Sequence, residues 1–537
     1  MISSVLKVYE CKGSEKDVSG LHQIEVCSLC LPLWVISMFW SLLIITALCT
    51  STWLCLMWYK LSMYWAERGV KHVPVYPFLG SLTFLMRYNP AIWMRNVYES
   101  FDTPYVGMWV FFRPAVIIND PEIARNILIK DAAVFKDRFL SPGPSDPIGR
   151  LNLFTVKDPL WSFLRRRLTS VFTAAKLRGV FRIMQQKSKE LVQRIDIEMK
   201  ANKRVDLRMM FTDYTTDIIG ASAFGVAGDA TLTGESPLRS ITKEFMEFNV
   251  LRGLSWVSIF FYPEIVDFFG FTAFPKSVTE YFRKIFRTIV AERGGYEVEI
   301  RENRDLLDAL IKLKQDCVRD NEDISEDTLV AQAAVFLQAG FDTTGSIFAY
   351  CVYELAFHPE IQNKLYQELI EAKEKIGHAD FEMNSLTELK YLDCVINETM
   401  RKYQPMGWLD RMASKDYKLD DRLTITVGTP VYVNVIGIHY DPKFYPEPER
   451  FNPDRFLSIN KKNTNITTFV PFGDGPRSCI GRRFAMMNLR NTLATMFLVY
   501  EARALPNTPK PSEAKIEARN LFLAPGEPLL VKFVPRS

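Results

Sequence analysis

The chain of 537 residues lacks several features that mark common protein classes. Its 66 basic and 62 acidic residues leave a net charge of only +4, too small for a basic nucleic-acid surface. Nine cysteines are too few for a disulfide scaffold. The sequence contains no phosphate-binding loop and no Gly-x-Ser-x-Gly nucleophile motif. Nucleic-acid binding, a disulfide-rich secreted fold and direct binding of a nucleotide through such a loop are therefore not expected.

The composition that remains is that of a globular protein. Hydrophobic residues make up 48% and charged residues 24% of the chain, which excludes disorder of the whole. Aromatic residues reach 13%, with 38 phenylalanines. This richness predicts a large apolar interior or extensive membrane contact.

One long segment near the N-terminus has no charged residue. It covers residues 26–59, and about 20 apolar residues suffice to cross a bilayer as a helix. A cleaved signal peptide would have a shorter apolar core and a small-residue cleavage site. We therefore predict a retained transmembrane anchor, preceded by a polar extension (1–25) and followed by a linker (60–80). Lysines and arginines are balanced on the two sides, so they do not set its orientation.

The remainder, residues 81–537, is predicted to form one large domain, mainly α with a minor β-sheet. A strand is expected around 116–118. Two strands separated by a turn are expected within 423–435. Residues 329–357 are apolar enough for a membrane span, but Asp342 in their middle favours a buried helix instead.

A ten-residue loop, FGDGPRSCIG at 472–481, carries the strongest chemical signal. Cys479 precedes a segment of helical periodicity, and a helix N-terminus favours a thiolate. The loop glycines allow backbone to pack against something flat, and Arg477 can hold a carboxylate bidentately. A lone buried cysteine and a dinucleotide loop are the alternatives, but Ser478 stands where the latter needs glycine. A cysteine thiolate, a flat group packed against the loop and an arginine that holds a carboxylate are the features of haem bound through sulfur. Together they indicate such a haem site.

The centre of the 329–357 helix carries a second pattern. Ala339 and Gly340 are small, which would let a flat cofactor or dioxygen approach the helix closely. Thr343 can donate a hydrogen bond, and Asp342 can relay protons from solvent. A capping motif is the alternative, but the apolar periodicity continues on both sides.

The cysteine loop resembles the haem-binding signature of the cytochrome P-450 family, Phe-Gly-x-Gly-x-Arg-x-Cys-x-Gly, at every fixed position. This resemblance implies that the chain binds haem b and that Cys479 is the axial ligand of its iron. It also implies that Arg477 contacts a haem propionate and that the amides of Ile480 and Gly481 donate to the sulfur. The other positions of the loop implied to contact haem are Phe472 and Gly473.

Further stretches resemble the same family in the expected order along the chain. Ala-Gly-x-Asp-Thr at 339–343 is similar to its oxygen-activation stretch, which implies catalytic roles for Thr343 and Asp342 in dioxygen activation and proton delivery. Glu398 and Arg401, with Arg455, resemble a structural ion-pair cluster of the family. Haem carries two propionates, so several arginines should converge on it. Positions that match its propionate contacts are Trp161, Arg165, Arg411 and Arg138.

The reaction implied by the resemblance is monooxygenation of lipophilic small molecules. Electrons would come from NADPH through a separate NADPH–cytochrome reductase, with cytochrome b5 as a further candidate partner, and NADPH itself would not bind this chain. The chain would lie in the endoplasmic reticulum membrane with its catalytic domain on the cytosolic side. Residues 120–135 and 410–419 look most like insect microsomal members that oxidise plant toxins and insecticides. A hormone or pheromone hydroxylase, a haem-thiolate isomerase and a lipophile carrier remain the alternatives.

Overall fold

The computed structural model describes residues 33–77, 79–84, 87–247, 249–300, 304–377, 379–457 and 468–536. Contacts divide the chain into two units, Met1–Leu61 and Ser62–Ser537. The predicted extension 1–25 and the first residues of the predicted anchor, 26–32, lie outside the described residues.

The described part of the first unit is one helix, α1 (Leu33–Ser62). Its segment Ser37–Ser62 is long and apolar enough to cross a membrane, with a mean hydropathy of 1.8. Large side chains along it are exposed, including Leu42 at 65% and Trp53 at 62%. Such a continuous apolar surface is a candidate membrane span, as the sequence predicts.

The second unit is mainly helical with small sheets, which confirms the predicted fold class. Its α-helices are Pro90–Ser100 (α2), Pro121–Arg125 (α3), Pro147–Leu151 (α4), Leu160–Thr169 (α5), Ala174–Lys200 (α6), Leu207–Ile219 (α7), Ala230–Thr233 (α8), Pro237–Phe245 (α9), Val250–Phe261 (α10), Val266–Phe269 (α11), Lys276–Glu292 (α12), Leu306–Arg319 (α13), Glu326–Phe357 (α14), Pro359–Ile376 (α15), Met383–Glu388 (α16), Lys390–Lys402 (α17), Val435–His439 (α18) and Arg482–Val499 (α19). Its strands are Tyr105–Val110 (β1), Arg113–Ile118 (β2), Val205–Asp206 (β3), Leu409–Met412 (β4), Tyr417–Lys418 (β5), Thr424–Ile425 (β6), Pro430–Val433 (β7), Tyr500–Ala504 (β8) and Leu530–Pro535 (β9).

The strands of the second unit form three small sheets. Their orders are β1-β2-β7-β4, β3-β9-β8 and β5-β6. The strand predicted around 116–118 lies in β2, and the two predicted within 423–435 are β6 and β7. These two do not pair with each other, because β6 pairs with β5 while β7 lies between β2 and β4. The sequence shows the turn between them but not the sheet to which each belongs.

Residues that directly follow α1 already pack into the second unit. Trp65 is 1% exposed and donates from its indole nitrogen to the Met108 carbonyl at 3.0 Å. Its ring lies against Gly107 of β1, where a Cβ would come within 2.5 Å of the indole. The second unit therefore begins within the stretch predicted as a linker, earlier than the predicted boundary at residue 81.

The central helix α14 runs through the core and positions the site. Ser325 caps it by accepting from the Thr328 amide. Helix α7 packs closely against it, and the Thr215 hydroxyl donates to the Phe341 carbonyl at 3.0 Å. Farther along, Phe211 and Phe348 stack with ring centroids 4.8 Å apart. The helix predicted over 329–357 is thus observed with three more residues at its start.

The predicted cluster of Glu398, Arg401 and Arg455 is present and buried. Arg401 donates to both carboxylate oxygens of Glu398, at 2.8 and 2.9 Å, and Arg455 donates to one of them at 3.3 Å. The backbone amide of Asn452 donates to the same carboxylate at 2.9 Å. Arg401 also binds the carbonyls of His439 and Pro448. The cluster therefore ties α17 to the segment that leads to the cysteine loop.

Candidate active site

A cavity of about 350 Å³ lies between α14 and the cysteine loop. Its surface is mostly apolar, and Leu153, Phe154, Met406, Leu409 and Phe522 form part of it. All the predicted site residues except Arg411 line it: Arg138, Trp161, Arg165, Ala339, Gly340, Asp342, Thr343, Phe472, Gly473, Arg477 and Cys479.

Cys479 presents its thiol to this cavity, three residues before α19 begins at Arg482. Its amide donates to the Phe472 carbonyl at 2.9 Å, which closes the loop, and its accessible surface is cavity surface inside the protein. Burial raises the pKa of the thiol, while the Gly481 amide and the positive charge of Arg165 lower it. Burial is the largest of these effects on the pKa of the thiol.

One of the loop glycines, Gly475, is needed for a different reason from the one expected. Gly475 has a φ of 70°, and a Cβ there would lie 1.8 Å from the Leu128 carbonyl oxygen. The close neighbour at this position is therefore the backbone of Asn126–Lys130 and not a cofactor. Glycine fixes how deeply the cysteine loop packs against that turn.

Three buried arginines gather at one end of the cavity: Arg138, Arg411 and Arg477. Burial lowers the pKa of Arg411 to about 9, and the nearby charges of Arg138 and Arg477 lower it as well, against the pull of Asp410. Burial likewise lowers the pKa of Arg477 to about 9, with a further lowering by Arg138. Mutual repulsion of buried cations shows that this cluster carries more positive charge than its protein partners neutralise.

Arg477 is only partly satisfied by the protein. It donates from Nε to the Lys136 carbonyl at 2.9 Å and from Nη2 to Asp137 at 3.0 Å, while its Nη1 is buried without a partner. Its guanidinium stacks over the Trp161 ring at 4.1 Å. A spare buried donor in a positive cluster at a cavity wall fits an anionic group such as a haem carboxylate. Arg411 lies behind this wall and donates to the Asp410 carbonyl, so it joins the cluster without lining the cavity.

Asp342 and Thr343 lie side by side on the α14 wall of the cavity. The Thr343 hydroxyl donates to the Ala339 carbonyl at 2.7 Å, so its oxygen lone pairs are the part available to the cavity. Burial raises the pKa of Asp342, and Arg208, whose Nη2 lies 3.6 Å from the carboxylate, lowers it. A carboxyl group poised in this way can hold or release a proton at the cavity wall.

Ala339 and Gly340 of α14 have small side chains for different reasons. Ala339 is exposed to the cavity, as expected for a position that a flat group approaches. At Gly340, however, a Cβ would lie 2.3 Å from the Ile219 side chain of α7. Gly340 is therefore small mainly because α7 packs closely on α14, although it also borders the cavity.

Sequence reasoning missed three residues that shape this site. Arg208 faces Asp342, Asp410 binds Arg138 at 2.9 Å, and Ile219 fixes the glycine of α14. Each lies far along the chain from the residue that it contacts. No local motif marks them, and only the folded chain reveals these pairs.

Comparisons with known proteins place this geometry in a family. The family model described as Cytochrome P-450 matches residues 71–533. The chain belongs to the cytochrome P-450 family. It is similar to cytochrome P-450 6l1 of Blattella germanica, with 34% identity over 478 residues covering 88% of this chain and 92% of the relative. Cytochrome P-450 6k1 of the same insect is 32% identical over 87% of this chain and 92% of its own. Cytochrome P-450 6B2 of Helicoverpa armigera is 30% identical over 88% of this chain and 94% of its own.

Membership of the cytochrome P-450 family defines the general chemistry. Its members are haem-dependent monooxygenases in which a cysteine thiolate ligates the haem iron. The Cys479 thiol at the cavity wall and the unpartnered donor of Arg477 are compatible with that cofactor.

Proposed function

We propose that the chain is a membrane-anchored haem-thiolate monooxygenase that oxidises lipophilic foreign compounds with electrons passed from NADPH by a reductase. The observation that carries the proposal is the Cys479 thiol at the wall of an apolar cavity, with the buried arginine cluster beside it. Cys479 would ligate the iron, and Arg477, with Arg138, Arg411, Arg165 and Trp161, would hold the propionates. When bound, haem supplies an iron centre at which dioxygen is reduced and one of its atoms enters substrate.

The residues of the chain itself prepare the site for this chemistry. Thr343 offers a hydroxyl at the cavity wall and can receive or donate a hydrogen bond there once it rotates away from the Ala339 carbonyl. Asp342 holds a proton more readily than an exposed aspartate because burial raises its pKa. Arg208 opposes this effect and keeps the carboxyl group able to ionise. The apolar lining excludes water, so protons reach the site through these groups.

The substrate class follows from the cavity and the relatives. The mostly apolar lining of the cavity suits a lipophilic small molecule that is held mainly by burial beside the haem. Most of the similar chains are insect family members, which supports the oxidation of plant toxins and insecticides over a biosynthetic role.

The proposed location is the endoplasmic reticulum membrane, with α1 as anchor and the catalytic unit on the cytosolic side. The length and exposed apolar surface of α1 support it. In the second unit, Phe268, Phe269, Val250 and Leu251 are exposed on or beside short helices, at 84%, 58%, 57% and 67%. These side chains are suited to contact the lipid surface from which lipophilic substrates would enter. On the cysteine side, Arg482 and Arg483 are exposed and are candidates to meet an acidic reductase.

The test of this function uses the full chain with haem, reductase and NADPH in membranes. We expect NADPH oxidation that depends on a lipophilic substrate, and a product that carries one oxygen atom from isotopically labelled dioxygen. Product formation without NADPH or dioxygen would instead indicate an isomerase. A chain that takes up lipophiles but no haem would be a carrier, and both results would refute the proposal.

Asp342→Asn is expected to lower product formation by about a hundredfold, because general acid–base groups contribute factors of that order. The haem spectrum and the binding of substrate should stay unchanged, since asparagine keeps the size of the side chain. The measurement is product formed per NADPH consumed. Asp327→Asn is the matched control, since Asp327 is on the same helix but pairs with Arg283 away from the cavity. Equal losses in the two variants would show that Asp342 has no special part in proton delivery.

A further inference from the structure

A small side chamber with polar groups in its lining adjoins the main cavity where α10, α14 and the segment 520–523 meet. It has a volume of about 20 Å³, enough for roughly one water-sized group. Trp256, Gln338, Asp342 and Phe522 line both spaces. A molecule in the main cavity can therefore place a single substituent at this chamber.

Asn520 brings an unused hydrogen-bond donor to the chamber. The residue is 6% exposed and lines the chamber. Its Oδ1 accepts from the Phe522 amide at 3.2 Å, which distinguishes the oxygen from the nitrogen of the side chain. Its Nδ2 is buried and has no partner. A buried donor in this state is destabilising until an acceptor reaches it.

Arg252, which also lines the chamber, brings a second unused donor. Its terminal nitrogens donate to the Thr272 carbonyl at 3.2 Å and the Ala273 carbonyl at 2.6 Å. Its Nε is buried without a partner, and the guanidinium lies 5.4 Å from the centre of the Trp256 ring. Burial lowers the pKa of Arg252 to about 10, so it stays charged near neutral pH. The two spare groups of the chamber are thus both donors.

The two donors still lack acceptors, although Asp342 and Gln338 also line the chamber, and an oxygen of a ligand would supply one. An ionised carboxylate is disfavoured, because Asp342 already lines the chamber and would repel it when ionised. We propose that the side chamber binds the carbonyl oxygen of an otherwise apolar substrate, such as a ketone, an ester or a lactone, and so orients the rest of the molecule toward Cys479. This inference rests on the proposed monooxygenase function.

The test compares two ligands of the same skeleton, 2-decanone and decane, on the haem-loaded full chain. The dissociation constant of each is measured from the shift of the haem Soret band, after the thiolate spectrum has been verified. After correction for the different hydration of the two free ligands, we expect the dissociation constant of the ketone to be about tenfold lower than that of decane. Asn520→Asp keeps the hydrogen bond to the Phe522 amide but replaces the donor by an acceptor. This variant should raise the dissociation constant of the ketone about tenfold and leave that of decane unchanged.

Asn89→Ala is the matched control for movement of the loop. Asn89 donates to the carbonyls of Glu517, Asn520 and Phe522, so this variant loosens the same loop but leaves the two donors in place. Asn89→Ala should weaken the binding of both ligands to the same extent. Equal binding of the two ligands by the wild type would mean that the chamber holds a water molecule, and an equal loss for both in Asn520→Asp would mean a structural role; either overturns the inference. A wild type without the thiolate spectrum would overturn the proposed function itself.

Discussion

Cys479→Ala is expected to abolish the far-red-shifted Soret band of the reduced carbon-monoxide complex completely. The reason is that this band requires a thiolate on the iron, and Cys479 is the residue that brings a thiol to the cavity wall beside the arginine cluster. Removal of the sulfur leaves Arg477 and its neighbours in place, so the chain should still fold. The measurement is the difference spectrum of the purified full chain produced with ample haem, with circular dichroism as the check on folding.

Cys317→Ala is the control for the loss of a thiol as such. Cys317 is 1% exposed in α13 and lies outside the cavity lining, so its variant should retain the full band. A band that survives in Cys479→Ala would show that another residue ligates the iron. A wild type that stays colourless would refute the haem enzyme altogether.

Glu398→Gln is expected to destabilise the folded chain by about 3–5 kcal/mol, the cost of leaving a buried arginine without its partner. The carboxylate of Glu398 receives hydrogen bonds from Arg401, Arg455 and the Asn452 amide, and both Glu398 and Arg401 are fully buried. Burial acts to lower the pKa of Arg401, but its bond to Glu398 outweighs this and raises the pKa overall, so the guanidinium stays charged. The measurement is the midpoint of thermal loss of the haem spectrum.

Glu447→Gln removes an ion pair of the same kind at the surface. Glu447 and its partner Arg450 have side chains that are 71% and 67% exposed, and such pairs contribute about 0–1 kcal/mol. Its midpoint should therefore stay close to that of the wild type. If Glu398→Gln were as stable as Glu447→Gln, the cluster would not hold α17 to the approach of the cysteine loop.

Much of the site could be recognised from short stretches of sequence. The cysteine loop and the Ala-Gly-x-Asp-Thr stretch each span ten residues or fewer, and their order along the chain narrows the possibilities further. Periodicity also placed α14, since helical contacts join residues only three or four apart, and the long uncharged apolar run placed α1. The strand around 116–118 was found for a similar reason. These features depend on neighbours along the chain, which sequence displays directly.

For several residues, the fold shows a different physical constraint from the one that the sequence suggested. Gly340 is small because Ile219 lies against it, and Gly475 because Leu128 does. Burial, which sequence does not measure, raises the pKa of the Cys479 thiol. For Gly340 and Gly475, local sequence assigned to a cofactor a constraint that comes from neighbouring protein atoms.

The amino-acid sequence by itself determined the family, the mainly helical class and the long apolar helix α1, and it predicted the residues that would carry haem chemistry. Tertiary structure decided how these residues are paired: Arg208 with Asp342, Arg411 with Arg138 and Arg477, and β7 between β2 and β4. It also created the side chamber, because Arg252, Asp342 and Asn520 meet only when α10, α14 and the segment 520–523 pack together. The physical reason is that charge, burial and shape act through space between groups far apart in the chain, and packing of the whole domain selects which groups meet.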